Sequence, residues 1–150
     1  ADGDRSSKPM LDIGTTITWE AWDLKYKPNQ DWNHAWGAAP ANLLPRFVLG
    51  AQPAAPGWQM ASIRPMTCGL KSARGKVPTP HGPVQIDWTN ASTFKLSLNL
   101  PDGMTALVDL PAVEGSTAVF ADGSAVEATK NGNRWTVKNP VSGSVQFEVK

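Results

Sequence analysis

The chain has 150 residues, enough for one ordinary domain with a real core or for a small domain carrying an appendage. Its 14 basic and 13 acidic side chains leave a net charge of +1, with no Lys/Arg cluster along a helix face and no basic residues interleaved with the aromatics, which argues against a nucleic-acid partner. No apolar run approaches the ~20 residues of a membrane span, and the lone Cys68 leaves no intrachain disulfide and no cysteine-based metal site.

The first ten residues, ADGDRSSKPM, are polar and lack the basic and apolar regions of a secretory signal, so either a signal has been removed or the chain is a piece of something longer. Residues 14–36, GTTITWEAWDLKYKPNQDWNHAW, then place four of the seven tryptophans (Trp19, Trp22, Trp32 and Trp36) around Glu20 and His34. Indole rings present flat, weakly polar faces that suit the C–H faces of a sugar ring, and rings of that size seldom hide completely in so short a segment. Glu20 and His34 add polar groups for hydroxyls or for an attacking water. The same residues also suit an aromatic core with a solvated glutamate, His34 lying in a first helical turn after an Asn33 cap. Asp23 and Asp31 read as solvated loop acids, with a supporting role beside the site as the alternative.

Residues 38–49 carry Ala41, Leu44 and Val48 at helical spacing, which predicts one short helix. Pro40 suits its first turn, Gly50 suits the position after its end and Pro53 prevents continuation, whereas Pro45 should kink the helix or delay its start. Residues 52–57, QPAAPG, read as a linker.

Beyond the linker the period changes to two. Phe94, Leu96, Leu98 and Leu100 alternate with polar residues, and Met104, Ala106, Val108 and Leu110 repeat the pattern after Pro101-Asp102-Gly103. That arrangement predicts a hairpin of two strands, each with one buried face. Further turn signals at Asp122-Gly123, Asn131-Gly132 and Ser142-Gly143 separate short runs, the last carrying Val145, Phe147 and Val149, at the spacing of an antiparallel sandwich. Trp88 and Trp135, in strand-like runs, read as sandwich core or rim, and His81 as part of a structural turn between Pro80 and Pro83. Cys68 reads as a small buried or half-buried thiol. No Asp, His or Glu cluster has metal-ligand spacing, so neither a metal nor another cofactor is expected. The expected fold is mainly β: an antiparallel β-sandwich over residues 58–150, preceded in residues 1–57 by a short helical segment that cannot bury its own apolar face.

Four blocks, taken in order, make the chain recognisable: GTTITWEAWD, WNHAWGAAPANLLPRFVLG, PGWQMASIRP and ARGKVPTPHGPVQIDW. From about Met10 to Pro111 they resemble the C-terminal part of bacterial α-L-rhamnosidases of glycoside hydrolase family 78. The resemblance implies that residues 1–57 are the end of an (α/α)6 catalytic toroid and residues 58–150 an accessory sandwich. It implies an inverting reaction, in which one carboxylic acid protonates the leaving oxygen and a carboxylate roughly 6.5–9.5 Å away activates water. Glu20, in the block resembling G-x-T-T-x-x-W-E, is similar to the family's general base. His34 is similar to the family's ligand for rhamnose next to the bond being cut, and Trp19, Trp22 and Trp36 stand in or beside these blocks as possible walls. Because the loop between Glu20 and His34 is short, Trp32 is a further candidate for the far wall. The family's acid-rich block has no counterpart here, and Asp2 and Asp4 do not resemble it.

The implied partners are a rhamnose-containing glycan or glycoside and the remainder of the catalytic domain, with no nucleic acid and no membrane. The implied location is periplasmic or extracellular. The isolated chain, with a base but no acid, is expected not to hydrolyse glycosides. Two other readings stand beside this one: a carbohydrate-binding module using the tryptophans as a platform, and a purely structural sandwich.

Overall fold

The computed structural model describes residues 5–15 and 17–150; Asp2 and Asp4 lie outside the described residues. It is mainly β, with short helical pieces before the sheets, and the chain forms two compact units, Ala1–Leu43 and Leu44–Lys150.

In the first unit a short helix the sequence reading missed, α1 (Lys8–Ile13), has Pro9 in its first turn and ends on Gly14 in the left-handed conformation, φ 77°. Its one buried residue is Met10. The helix predicted over residues 38–49 is instead three pieces: a 3-10 turn at Ala35–Ala38, α2 at Ala39–Leu43, and a π-helical turn at Leu44–Leu49. Pro45 falls in the last of these, where its missing N–H and its ring prevent a regular i to i−4 ladder from running through.

In the second unit eleven strands make two sheets. The first has the order β1-β2-β6-β10-β9, from Ala51–Pro53, Met60–Ile63, Thr105–Pro111, Arg134–Val137 and Ala128–Asn131, and is antiparallel apart from the parallel β2–β6 pair. The second has the order β3-β4-β5-β11-β7-β8, from Ser72–Val77, Val84–Asn90, Phe94–Asn99, Ser144–Val149, Val119–Ala121 and Ser124–Val126, and is antiparallel throughout. Alternate residues of both sheets (Ile63, Val108 and Leu110 from one, Ile86, Trp88, Leu96 and Phe147 from the other) share one core.

The predicted hairpin is corrected. β5 and β6 lie within one residue of the runs the alternation marks, but β5 pairs with β4 and β11 while β6 pairs with β2 and β10. The turn at Pro101-Asp102-Gly103, closed by Met104 N–H to Pro101 O at 3.2 Å, carries the chain across the core from one sheet to the other. Both strands bury an apolar face, a pattern equally satisfied by facing strands and by adjacent ones. Asp122-Gly123 is a true two-residue hairpin loop: Ala121 pairs with Ser124 and both loop residues have positive φ, 48° and 83°, as the tightest hairpin turns require.

Two further corrections follow from backbone pairing. The segment read as a linker enters the sheet at once, since Ala51–Pro53 is β1, and the N–H groups of Ala54 and Ala55 both donate to Met60 O. Cys68 is exposed rather than buried, because it sits at φ 49° in a turn between β2 and β3 closed by Leu70 N–H to Thr67 O at 2.8 Å. Trp88 and Trp135 are core residues, at 0% and 8% exposure, and His81 accepts its place in a turn, its Nε2 lying 3.0 Å from Gly57 O.

Two contacts fix the entry to the sandwich. Gly50 adopts φ 84°, and a β-carbon there would lie 2.2 Å from Pro65 N and 2.3 Å from the Arg64 carbonyl carbon. The fully buried Trp88 donates its indole N–H to Val48 O at 2.9 Å, tying the π-helical turn to the core. Gly50→Ala is therefore expected to destabilise the chain severely, since strain and backbone overlap act together. Trp88→Phe, which leaves Val48 O without its donor and vacates volume, should cost about 1–3 kcal/mol. Urea unfolding followed by circular dichroism checks both, and an unchanged midpoint for either would refute the assignment.

Candidate functional site

Residues 17–34 of the first unit form neither helix nor strand, so side chains and isolated backbone bonds must hold them. His34 N–H donates to Thr18 O at 2.9 Å, and Glu20 N–H to Asp31 O at 2.9 Å, drawing the two ends of the segment together. Thr18 Oγ1 returns a bond to His34 O at 3.2 Å. Gln30, at 7% exposure, accepts Ala21 N–H on Oε1 at 3.0 Å. The intervening loop reverses by polar turns: Lys25 N–H donates to Asp23 Oδ1 at 2.9 Å and Gln30 N–H to Lys27 O at 3.1 Å across Pro28-Asn29.

Glu20 is the residue this bridge presents. It is half-buried, receives the Lys27 ammonium on Oε1 and the Asp31 N–H on Oε2 at 3.1 Å. The Lys27 hydrogen bond, then that of Asp31, hold its pKa below the ordinary 4.5; partial burial opposes them and His34 adds a smaller effect in the lowering direction. The carboxylate is thus ionised at neutral pH and able to accept a proton.

Glu20 lines a cleft of about 490 Å³ together with Trp19, Trp22, Trp36, Met10 and Leu43. Among the described residues it is the only carboxylate there. Gly37 is also part of this wall, and a β-carbon on it would lie 2.7 Å from both Thr18 Oγ1 and Trp19 O, so only glycine lets the 3-10 turn close against the Glu20 segment. The volume and the apolar walls with few polar groups suit a small organic ligand.

The predicted residues do not all converge. Trp19 is 4% exposed and mostly packing, its ring 5.0 Å from that of Trp32; Trp22 and Trp36 present far more surface, at 41% and 87%. Trp32 lines a separate shallow groove with Ile13 and Asn33. His34 does not line the cleft but stands edge-on to Trp36, with ring centroids 5.5 Å apart, and its Nδ1 lies 3.6 Å from Asp31 Oδ2. It precedes the 3-10 turn rather than lying inside a helix, and its side chain makes no cap hydrogen bond. Lys27 and Gln30 were not singled out from the sequence. Trp19 Nε1 and Gln30 Nε2 are buried without a hydrogen-bond partner among the described residues.

Both ends of the chain match known families. Residues 50–124 match the family described as bacterial α-L-rhamnosidase C-terminal domain, and residues 1–48 the one described as bacterial α-L-rhamnosidase 6 hairpin glycosidase domain. The chain belongs to the bacterial α-L-rhamnosidase family. An α-L-rhamnosidase of Alteromonas sp. (strain LOR) is 32% identical over 68% of this chain, which spans 12% of that protein. The crystal structure of a Streptomyces avermitilis α-L-rhamnosidase complexed with L-rhamnose superposes with a TM-score of 0.76 at 26% identity, covering 100% of this chain and 15% of that one. An α-L-rhamnosidase from Dictyoglumus thermophilum shares the fold, with a TM-score of 0.80 at 23% identity over 100% of this chain and 18% of its own. This rhamnosidase-family chain therefore spans less than a fifth of the relatives it matches.

The Glu20 ion pair has a pH signature. Because the folded pKa is lowered, ionised Glu20 stabilises the unit fully above its unfolded value of about 4.5, and that contribution is lost as pH falls through the lower folded value. Glu20→Gln should accordingly lower the urea midpoint at pH 7 and have a progressively smaller effect toward pH 3. Equal effects at both ends would rule the ion pair out as a stabilising contact.

Proposed function

We propose that this chain is the C-terminal portion of an inverting α-L-rhamnosidase that releases terminal α-L-rhamnose from a glycan or glycoside, with Glu20 as the general base. The observation that carries the proposal is an ionised carboxylate, Glu20, in the wall of a cleft otherwise lined by indoles and aliphatic groups. In this reading Trp22 and Trp36 face the sugar, Trp19 and Trp32 stiffen the wall from behind, and His34, edge-on to Trp36, reaches a sugar hydroxyl once the pocket is complete. Glu20 takes a proton from the water that attacks the anomeric carbon, and the leaving oxygen is protonated by an acid from the remainder of the catalytic domain. The helical residues ahead of β1 are then the end of the catalytic toroid, and the two sheets its accessory sandwich. We place the parent enzyme in the periplasm or outside the cell.

The chain alone should not turn over an aryl α-L-rhamnoside, since no acid protonates the leaving group. A chimera in which this chain replaces the matching C-terminal region of the Streptomyces avermitilis enzyme should do so, releasing β-L-rhamnose as the first product detected by NMR. Glu20→Gln in the chimera should lower kcat by about 10²–10⁴-fold, the range for a positioned general base. Undiminished turnover by that variant would show that another residue is the base, and α-L-rhamnose as the first product would overturn inversion.

A further inference from the structure

We propose that Lys27 is the positioning residue of Glu20, clamping one carboxylate oxygen while the Asp31 backbone N–H holds the other, so that the plane of the base is fixed before substrate arrives. This rests on the reading of Glu20 as the base. Left to itself, the terminal torsion of a glutamate is broad and its carboxylate rotates freely. Here Lys27 Nζ engages Oε1 and Asp31 N–H donates to Oε2 at 3.1 Å, two charge-assisted bonds from opposite ends of one loop. Each oxygen keeps a further lone pair, so the clamp leaves Glu20 able to accept a proton from water.

The loop is built to deliver this lysine. Pro28 presets the turn, and Gln30 N–H closes it on the carbonyl of Lys27 at 3.1 Å, so the backbone of Lys27 is itself held. Its side chain remains 41% exposed, reaching Glu20 over the loop rather than through a core. Among the described residues, the charged and titratable ones that act on Glu20 are Lys27, Asp31 and His34. Asp31 turns its own carboxylate away, accepting Asn33 N–H on Oδ1 at 3.0 Å with Oδ2 3.6 Å from His34 Nδ1, so it presents Glu20 with a backbone donor and not with a competing charge. The direct ionic contact is that of Lys27.

NMR of the whole 150-residue chain tests the clamp without any turnover. Side-chain carboxyl ¹³C signals give the titration midpoint of Glu20, and the Asp31 amide, which donates to Oε2, reports the orientation of the carboxylate through its own pH-dependent shift. Lys27→Met, which keeps most of the stem and removes the charge, should raise the Glu20 midpoint and abolish the pH-linked shift of the Asp31 amide. Lys27→Arg should preserve both, and Lys8→Met, which breaks the exposed Lys8–Asp12 pair of the same unit, should change neither. If Lys27→Met leaves the midpoint or the Asp31 signature as in the parent chain, Lys27 does not position Glu20. If Lys8→Met reproduces its effect, the change reflects general loosening of the unit and the proposal also falls. Glu20→Gln turnover in the chimera decides the base assignment independently of either result.

Discussion

Gly50 turns the chain from helical to extended geometry in a single residue, and it does so against the backbone of Arg64 and Pro65, with Arg64 N–H bonded to Gly50 O at 2.7 Å. Much of the sandwich follows from that contact. It sets β1 beside β2, and β2 in turn lies parallel to β6, the central strand of its sheet. Pro65 is held from its other side by Arg134, which donates to Pro65 O at 3.2 Å and to the main chain and carboxylate of Asp109. The Trp88 indole closes the arrangement from within the core by bonding Val48 O. The helical turn is therefore not an appendage of the sheets: the same few backbone groups terminate one and begin the other.

The first unit is organised on a different physical basis. Among its described residues the buried set is Met10, Trp19 and Gln30, whereas Leu11, Ile13, Trp36 and Leu43 stand exposed. So little buried apolar surface supplies little of the usual driving force for folding. Order comes instead from cross-segment bonds that reach from Thr18, Glu20 and Ala21 to residues 30–34. The concentration of exposed apolar side chains is the physical reason for assigning this unit a partner that covers it, and the remainder of a catalytic domain is the partner proposed.

The sequence made the strands legible because period-two alternation is a direct record of burial on one face. Phe94–Asn99 alternates apolar with polar residues throughout, and Thr105–Pro111 does so apart from the exposed Leu107. Alternation carries no information about which neighbour a strand chooses, and so the Pro101-Asp102-Gly103 reversal read as a hairpin although it crosses between sheets. The helical segment was found by its Ala and Leu spacing, but its division into 3-10, α and π turns was hidden, since Pro45 signals disruption without saying what replaces the regular ladder. In the candidate site Glu20 and the tryptophans stood out by residue type and by the blocks around them. Lys27 and Gln30 did not, because a lysine in a polar loop and a glutamine beside an aspartate ordinarily face water. Their roles arise from a chain reversal that brings residues seven and nine positions after Glu20, or the residue next to it, back against that backbone, and no local pattern encodes such a return.

The clamp on Glu20 also bears on how an acid and a base can share one reaction. A general base must be ionised when substrate binds, yet every interaction that favours ionisation also weakens its affinity for the proton it is to take. Lys27 and the Asp31 N–H push Glu20 toward the ionised side of that compromise. A partner acid requires the opposite environment, apolar or negatively charged, to keep its proton near neutral pH. Two such environments conflict if they are built from one short loop, because the cation that ionises the base would also ionise the acid. On the proposed reading, placing the base on this segment and the acid on a distant part of the polypeptide eases the conflict: the field of Lys27 acts at contact range on Glu20 and falls with distance across the gap that an inverting water must occupy.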